Sequence, residues 1–202
     1  MESNKSIEGR NLNQSQDEES IHPDELANLK KITDIDNKIS KDYGDLVVSN
    51  ASENDVKEVA ELWANLASVQ QIFAPGRFSF SSEGKDWQMF VRKKLSKLNN
   101  LLLVIRKKNE YEVRGFLYLQ TITLPSSDLV LKAIVEDVYT KPQYRRQHLA
   151  NTMLDVAFEW AQNHNIKKIE LISISNSKDL ESFYSKILKR VTKSLELEFL
   201  KI

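Results

Sequence analysis

The stretch VEDVYTKPQYRRQHLANTMLDVAF, residues 135–158, decides the predicted fold. It begins as an apolar strand, breaks at Lys141 and Pro142, passes through a basic turn and continues as an amphipathic helix. The first turn of a helix offers free backbone N–H groups and a partial positive charge, which together bind phosphate. The sequence therefore predicts a site for a phosphate-bearing cofactor at this turn, although the turn contains no glycine.

The composition is typical of a soluble globular protein and excludes several kinds of site. Of the 202 residues, 41% are hydrophobic and 29% are charged, and no apolar run approaches the ~18 residues of a membrane span. The absence of cysteine excludes disulfides, thiolate metal ligands and cysteine nucleophiles. The histidines lack metal-binding spacing, so no metal is predicted. Without a recognisable secretory signal the expected location is cytoplasmic, with no membrane or nucleic-acid partner.

The chain divides into an extension and one domain. Residues 1–44 are polar and net acidic, and we predict that they are disordered, because they cannot bury enough apolar surface to offset the entropy of ordering. Residues 45–202 are predicted to form an α/β domain with the element order βααβββαβαβ. Apolar residues at helical spacing predict the helices, and alternating or continuous apolar runs predict the strands.

The strand, turn and helix resemble the cofactor motif of the GNAT family, the acetyl-coenzyme A dependent N-acetyltransferases. The residues at comparable motif points are Val138, Pro142, Tyr144, Arg145, Gln147 and Ala150. Thr140 takes a position where the family often has valine, and His148 replaces the first motif glycine. Over residues 45–202 the resemblance implies a central mixed, twisted β-sheet flanked by helices, with its strands splayed at the cofactor site.

The same resemblance implies acetyl-coenzyme A as the cofactor. The residues implied to bind it are Val138, Tyr139, Thr140, Arg145, Arg146, Gln147, His148, Leu149, Ala150 and Asn151. The conformation of His148 decides whether its amide still donates to phosphate. We expect a right-handed helical conformation with the ring pointing outward, since a positive φ would cost a histidine roughly 1–2 kcal/mol. His148 is interpreted as a tolerated substitution rather than a catalytic base.

Two acidic residues, Glu136 and Asp137, interrupt the apolar strand before the turn. In a regular strand they face opposite sides of the sheet, and Asp137 is interpreted as structural. The pair resembles the pattern in small-amine acetyltransferases of the family, which implies that Glu136 is a general base. An alkylammonium has a pKa of ~10.4 and must lose a proton before it attacks a thioester. The alternative is a strand-end carboxylate paired with Lys or Arg.

Tyr184 lies in a segment that resembles the family's second cofactor segment. The resemblance implies that its phenol acts as a general acid toward the leaving thiolate. The alternative is a ring packed in the core beside Phe183. A third component is expected from the backbone near Val138, whose open groups pair with the pantetheine arm like an added strand and polarise the thioester carbonyl.

The acceptor site is predicted in the early loop and the helices beside it. Its candidate lining residues, each of which also fits a core position, are Phe73, Phe78, Phe80, Trp87 and Tyr118, with Arg77 as a candidate for meeting a carboxylate. The preferred function is acetyl transfer from acetyl-coenzyme A to a primary amine of a small molecule by direct attack. A non-catalytic acyl-coenzyme A sensor or interaction module stays open, as does an acetyltransferase for protein lysines or N-termini. The resemblance also leaves a homodimer open.

Overall fold

A seven-stranded β-sheet with helices on both faces forms the framework of the molecule. The computed structural model describes residues 39–72, 84–97, 99–123, 131–166, 168–173, 182–183, 185–187 and 196–201. The strands are β1 Ser40–Tyr43, β2 Leu46–Asn50, β3 Asn100–Lys107, β4 Gly115–Thr123, β5 Leu131–Thr140, β6 Lys168–Ser173 and β7 Glu196–Lys201. The α-helices are α1 Val56–Gln70, α2 Gly84–Leu95 and α3 Leu149–Asn163. Short 3-10 turns occupy Glu53–Asp55 and Pro142–Tyr144.

The strands lie in the sheet in their order along the chain. Strands β1 to β5 are antiparallel neighbours, whereas β5, β6 and β7 are parallel. A tight turn joins β1 to β2, and β2 reaches β3 through α1 and α2. The parallel step from β5 to β6 is made through α3, which the amphipathic pattern of residues 149–163 predicts. This mixed α/β architecture confirms the predicted fold class.

Two apolar layers cover the two faces of the sheet. Helix α3 packs on one face, where Met153 and Ala157 meet alternate residues of the central strands. Helices α1 and α2 pack on the other face, where Trp63 and Val91 meet the residues in between. The face covered by α1 and α2 is called the α1–α2 face below, and the opposite one the α3 face. Successive residues of a strand face opposite sides of the sheet, so the central strands supply apolar side chains to both layers. The central strands are therefore apolar almost throughout.

The sheet begins earlier than the predicted domain boundary at residue 45. Strand β1, inside the stretch predicted to be a disordered extension, pairs with β2 from Ser40 to Tyr43. Asn50 holds the residue before this strand in place, because its Oδ1 accepts a hydrogen bond of 2.6 Å from the Ile39 N–H. The remainder of the predicted extension, residues 1–38, lies outside the described residues. Of the predicted last helix, residues 182–183 and 185–187 are helical.

Strands β5 and β6 separate partway along their length, as the predicted splay requires. Their parallel pairing runs from Lys132 opposite Lys168 to Val135 opposite Leu171. Beyond Val135, β5 remains paired with β4 up to Thr140, while β6 continues beside β7. Within the described strands, residues 136–140 therefore have a neighbour on one side only.

The helices of the described ranges are short or amphipathic. None of them is long and apolar enough to cross a membrane.

Candidate active site

A β-bulge at Glu136 lies where β5 separates from β6. Tyr118 of β4 is opposite Asp137, but the next residue, Leu119, is opposite Val135, so Glu136 is an extra residue in β5. A bulge of this kind places two residues of one strand against one of its partner and shifts the alternation beyond it. Ala133 and Val135 accordingly belong to the α3 layer, whereas Tyr139 belongs to the α1–α2 layer.

The bulge corrects the prediction that Glu136 and Asp137 face opposite sides. Asp137 accepts a hydrogen bond of 3.0 Å from Trp63 Nε1 of α1, and Glu136 lies 3.9 Å from Lys94 Nζ of α2. Both carboxylates therefore face α1 and α2. The prediction was wrong because it assumed an unbroken period of two, and a bulge depends on the register with the neighbouring strand.

Glu136 is only partly withdrawn from solvent. Its carboxylate accepts a hydrogen bond from the Gln120 amide of β4, and its side chain keeps 19% of its exposure, against 20% for Lys94. At 3.9 Å the Lys94 ammonium is an ion-pair neighbour but too far away for a hydrogen bond. An accessible carboxylate at the open part of β5 is the arrangement that proton transfer to or from a bound molecule requires.

Lys94 lies over the aromatic floor of this site. Its Nζ is 4.4 Å from the centroid of the Tyr118 ring and 5.3 Å from that of Phe90, which are cation–π distances. Burial lowers the pKa of Lys94, and the charge of Glu136 opposes this only in part. A lowered pKa increases the neutral fraction of the amine near neutral pH.

Tyr118 is fully buried beneath Lys94. Burial raises the pKa of its phenol above the ordinary range, and the neighbouring Glu136 adds to the effect. Among the described residues its hydroxyl has no hydrogen-bond partner. The raised pKa makes Tyr118 a poor proton donor to a thiolate, whose ordinary conjugate pKa is ~8.5.

Asp137 has the structural role that the sequence suggested. It is 4% exposed, and besides the Trp63 indole it accepts a hydrogen bond of 3.3 Å from the Gln70 amide. Burying a carboxylate is costly unless donors surround it, and these two donors from α1 meet that need. Asp137 thereby fixes α1 against the part of β5 beyond the bulge.

The basic turn differs from its predicted conformation at His148. Both Arg146 and His148 have positive φ values, 64° and 63°, and His148 is the left-handed N-cap of α3. The expectation of an unstrained, right-handed histidine was wrong, because the chain must reverse here to start α3 where Leu149 enters the core. The ring is exposed, and its Nδ1 lies 3.4 Å from Asn151 Nδ2 in the first turn of α3.

The remaining residues predicted to bind a cofactor are divided between the core and the surface. Leu149 is 2% exposed and Tyr139 is 8% exposed, so their side chains belong to the core and only their backbone groups face the turn. Arg145 is exposed and folds back, with its guanidinium carbon 5.8 Å from the Tyr139 ring and Nε 3.4 Å from the Thr140 carbonyl oxygen. Val138 packs against the α3 layer. Gln147, Ala150 and Asn151 lie at or next to the N-terminus of α3.

Polar contacts hold the turn against the segment between β3 and β4. The Tyr144 hydroxyl donates to Glu112 Oε2 at 2.7 Å, and Lys141 Nζ lies 2.8 Å from Glu112 Oε1. Arg114 covers the Tyr144 ring at 4.4 Å from its centroid. We call Glu112, Arg114, Lys141 and Tyr144 the turn brace.

Some predicted site residues cannot be placed. Tyr184, Phe73, Phe78, Phe80 and Arg77 lie outside the described residues, so their predicted roles stay predictions. Trp87 is 6% exposed and belongs to the α1–α2 layer, and among the candidates for the acceptor site it is therefore a core residue. Tyr118 is also buried, but its ring lies beneath Lys94 and beside the Glu136 carboxylate.

Sequence reasoning missed two polar residues that contact Glu136, namely Lys94 and Gln120. Lys94 had a detectable signal. It follows Trp87 by seven positions, Phe90 by four and Val91 by three, so it lies on the apolar stripe of α2. Gln120 follows the buried Tyr118 by two positions and shares its face of the sheet. Polar residues on inward-facing positions were therefore the available signal.

Comparison with known proteins gives a family and a fold. Residues 66–188 match the profile of the acetyltransferase (GNAT) family. No curated protein sequence matches the chain.

Solved structures share the fold at low sequence identity. A predicted acetyltransferase with acetyl-CoA from Clostridium acetobutylicum is 19% identical, with a TM-score of 0.55 over 73% of this chain and 92% of that one. A ribosomal-protein-alanine N-acetyltransferase from Brucella melitensis biovar Abortus 2308 is 18% identical, with a TM-score of 0.54 over 70% and 89%. A glucosamine-6-phosphate N-acetyltransferase from Arabidopsis thaliana is 14% identical, with a TM-score of 0.55 over 75% and 95%. At these identities the likeness shows the fold.

Proposed function

This chain belongs to the GNAT acetyltransferase family, whose cofactor is acetyl-coenzyme A, and we propose that it transfers an acetyl group to a primary amine of a small molecule. The observation that carries the proposal is the position of Glu136. The bulge directs this carboxylate toward the α1–α2 face at the residue where β5 leaves β6. A proton acceptor is thus present where an amine and a thioester would meet.

Two features of the described residues support binding of the pyrophosphate and of the pantetheine arm. The N-terminus of α3 offers backbone amides to a pyrophosphate, and the positive φ values of Arg146 and His148 favour the concave arrangement of N–H groups that binds anions. The open side of residues 136–140 suits the amide-bearing pantetheine arm, which can pair with it as an added strand. When bound, acetyl-coenzyme A supplies an activated acyl thioester.

The proposed roles of this chain's own residues follow from that placement. Glu136 takes a proton from the acceptor ammonium, directly or through water, while Gln120 orients the carboxylate. Tyr184 remains the proposed proton donor to the leaving sulfur. The raised pKa of Tyr118 supports this assignment indirectly, because it makes Tyr118 a poor alternative proton donor. The accessible carboxylate and the aromatic floor support a cationic acceptor.

The test combines binding with turnover. We expect acetyl-coenzyme A to bind in a calorimetric titration, and an amine panel to release free thiol. Glu136→Gln should lower kcat by about 100-fold, the low end of what a positioned base contributes, and should flatten the acidic limb of the rate profile. Cofactor affinity should not change. The matched control is Glu61→Gln, an exposed glutamate on α1, which should leave kcat and affinity unchanged.

Three results would contradict parts of the proposal. Absence of binding at high micromolar acetyl-coenzyme A would show that the proposed coenzyme A site is wrong. Binding without turnover across the panel would favour a non-catalytic sensor. Wild-type rates for both Glu136→Gln and Tyr184→Phe would remove these two residues from the mechanism while leaving the fold assignment intact.

A further inference from the structure

Lys94 occupies the position next to Glu136 that an acceptor amine would take. Three features meet there: the opening between β5 and β6 begins at Glu136, the bulge turns that carboxylate toward α2, and Lys94 Nζ lies 3.9 Å from it. The Tyr118 and Phe90 rings hold the ammonium at cation–π distance. The chain thereby supplies its own primary amine at the proposed site of transfer.

We propose that Lys94 is an internal acetyl acceptor, so that the protein acetylates itself at this residue when acetyl-coenzyme A is bound. The proposal rests on the proposed function, because it uses the same cofactor site and the same base. It adds a modification site and identifies a lysine side chain as one chemical class of acceptor that this site takes.

The atoms and charges of this transfer balance with Lys94, Glu136, acetyl-coenzyme A and water. The Lys94 ammonium gives one proton to Glu136, and the neutral Nζ forms a bond to the acetyl carbon. The bond between that carbon and the coenzyme A sulfur breaks, and the sulfur leaves with the electron pair. The second Nζ proton is lost to water and the thiolate takes a proton from solvent, so the products are an amide and free coenzyme A. No other reactant is needed.

Two neighbouring lysines provide internal controls. Lys93 lies in the last turn of α2 and Lys97 two residues beyond it. Both are exposed, so both are open to unassisted reaction with acetyl-coenzyme A. Lys94 is partly covered, with 20% of its side chain exposed. Greater exposure favours Lys93 and Lys97, whereas both the lowered pKa of Lys94 and assistance by Glu136 favour Lys94. Because the charge of Glu136 raises the pKa of Lys94, slower labelling of Lys94 in Glu136→Gln separates assistance from the lowered pKa.

The experiment follows acetylation of the full chain by intact mass and peptide mapping. The purified protein is incubated with isotopically labelled acetyl-coenzyme A, and label is timed separately at Lys93, Lys94 and Lys97. We expect Lys94 to be labelled at least about tenfold faster than either neighbour, and Glu136→Gln to slow Lys94 by about 100-fold while leaving the neighbours unchanged. Lys94→Arg should abolish the fast phase, and the matched control Lys93→Arg should keep it.

A mixing experiment distinguishes transfer within one chain from transfer between chains. Glu136→Gln protein, which keeps Lys94, is incubated with Lys94→Arg protein, which keeps Glu136. For an internal acceptor, Lys94 of the Glu136→Gln chain stays slow in the mixture, and the half-time of the wild-type chain does not change with protein concentration. Fast labelling in the mixture would overturn the internal route.

The remaining outcomes separate this inference from the proposed function. If acetyl-coenzyme A binds and amines are turned over, but Lys94 reacts no faster than Lys93, the inference is wrong and the proposed function stands. If Glu136→Gln leaves fast Lys94 labelling intact, the inference is also wrong. If calorimetry detects no cofactor binding, both fail.

Discussion

At the scale of single residues, His148 has a strained backbone, as does Arg146 two positions earlier. Its φ of 63° lies in the left-handed region, which glycine enters freely and which costs a side-chain-bearing residue roughly 1–2 kcal/mol. The surrounding structure enforces this conformation, because Leu149 is buried immediately after it and the turn brace fixes the chain shortly before it. The histidine is therefore tolerated by the fold rather than selected by its local geometry.

Replacing His148 by glycine should stabilise the protein. We expect His148→Gly to raise the free energy of unfolding by about 0.5–1 kcal/mol, since relief of the positive φ exceeds the extra entropy of glycine in the unfolded chain. Denaturant titration measures this change. His148→Ala is the control, because it keeps the Cβ and should bring no gain.

The same pair of variants tests how the turn binds acetyl-coenzyme A. If backbone amides make the contact, affinity in a calorimetric titration should be equal or higher in His148→Gly. A clear loss of affinity in both variants would instead assign the contact to the imidazole ring.

At the scale of structural elements, the turn brace connects the turn before α3 to the segment that leads into β4. Lys141 and, less strongly, Tyr144 lower the pKa of the Glu112 carboxyl through hydrogen bonds, and Glu112 in turn raises the pKa of the Tyr144 phenol. Around neutral pH the Glu112 carboxyl is therefore ionised and the Tyr144 phenol is neutral, and these are the states in which they form their hydrogen bond. Glu112 is more than a third exposed, so the expected effect is on the position of the turn rather than on global stability.

Removing the charge of Glu112 should weaken cofactor binding. We expect Glu112→Gln to lower the affinity for acetyl-coenzyme A by roughly threefold to tenfold, about the 1 kcal/mol of an exposed charged contact, with little change in the thermal midpoint. Glu53→Gln is the matched control, because Glu53 is exposed and pairs with Arg92 of α2 rather than with a residue of the turn brace. Equal affinities for the two variants would show that the brace does not position the turn.

The pH dependence of this contribution has a defined sign. Since the pKa of Glu112 is lowered in the folded protein, its contribution is complete above the ordinary carboxyl value of about 4.3 and is lost as the pH falls through the lowered value. The affinity difference between Glu112→Gln and the wild type should therefore be constant around neutral pH and disappear in acid.

At the scale of the whole molecule, the sheet includes residues that composition assigned to the extension. The β1 ladder and the Asn50 contact to Ile39 attach residues 39–43 to the domain. Lys108 adds an ion pair to Asp42 of 2.9 Å. The folded unit therefore includes Ile39.

Truncation should locate this boundary. A chain that begins at Asp45 should be about 2 kcal/mol less stable than one that begins at Ile39, since the first lacks the cross-strand pairs of β1, each worth a fraction of 1 kcal/mol. Chemical denaturation of the two chains measures the difference. Equal midpoints and slopes would mean that β1 contributes nothing to the domain.

The parts of the molecule that the sequence predicted are those that local pattern determines. Helical spacing of Trp63, Val91 and Met153 predicted the packed helices, whereas the splay of the parallel strands was implied by the resemblance of residues 135–158 to the GNAT cofactor motif. The bulge at Glu136 was not predictable in this way, because it is a mismatch between two strands far apart in sequence. The positive φ of His148 was missed because its cause is the burial of the next residue rather than any preference of histidine.

The bulge also determines how β5 would respond to a change in length. Removing residue 136 would delete a carboxylate and, in the same step, restore an unbroken ladder with β4. Val135 would still lie opposite Leu119 and Asp137 opposite Tyr118, so the outer half of the strand would keep its present sides. A one-residue deletion here would therefore leave the facing of the strand unchanged, whereas the same deletion in a regular part of the ladder would turn the residues beyond it to the opposite face.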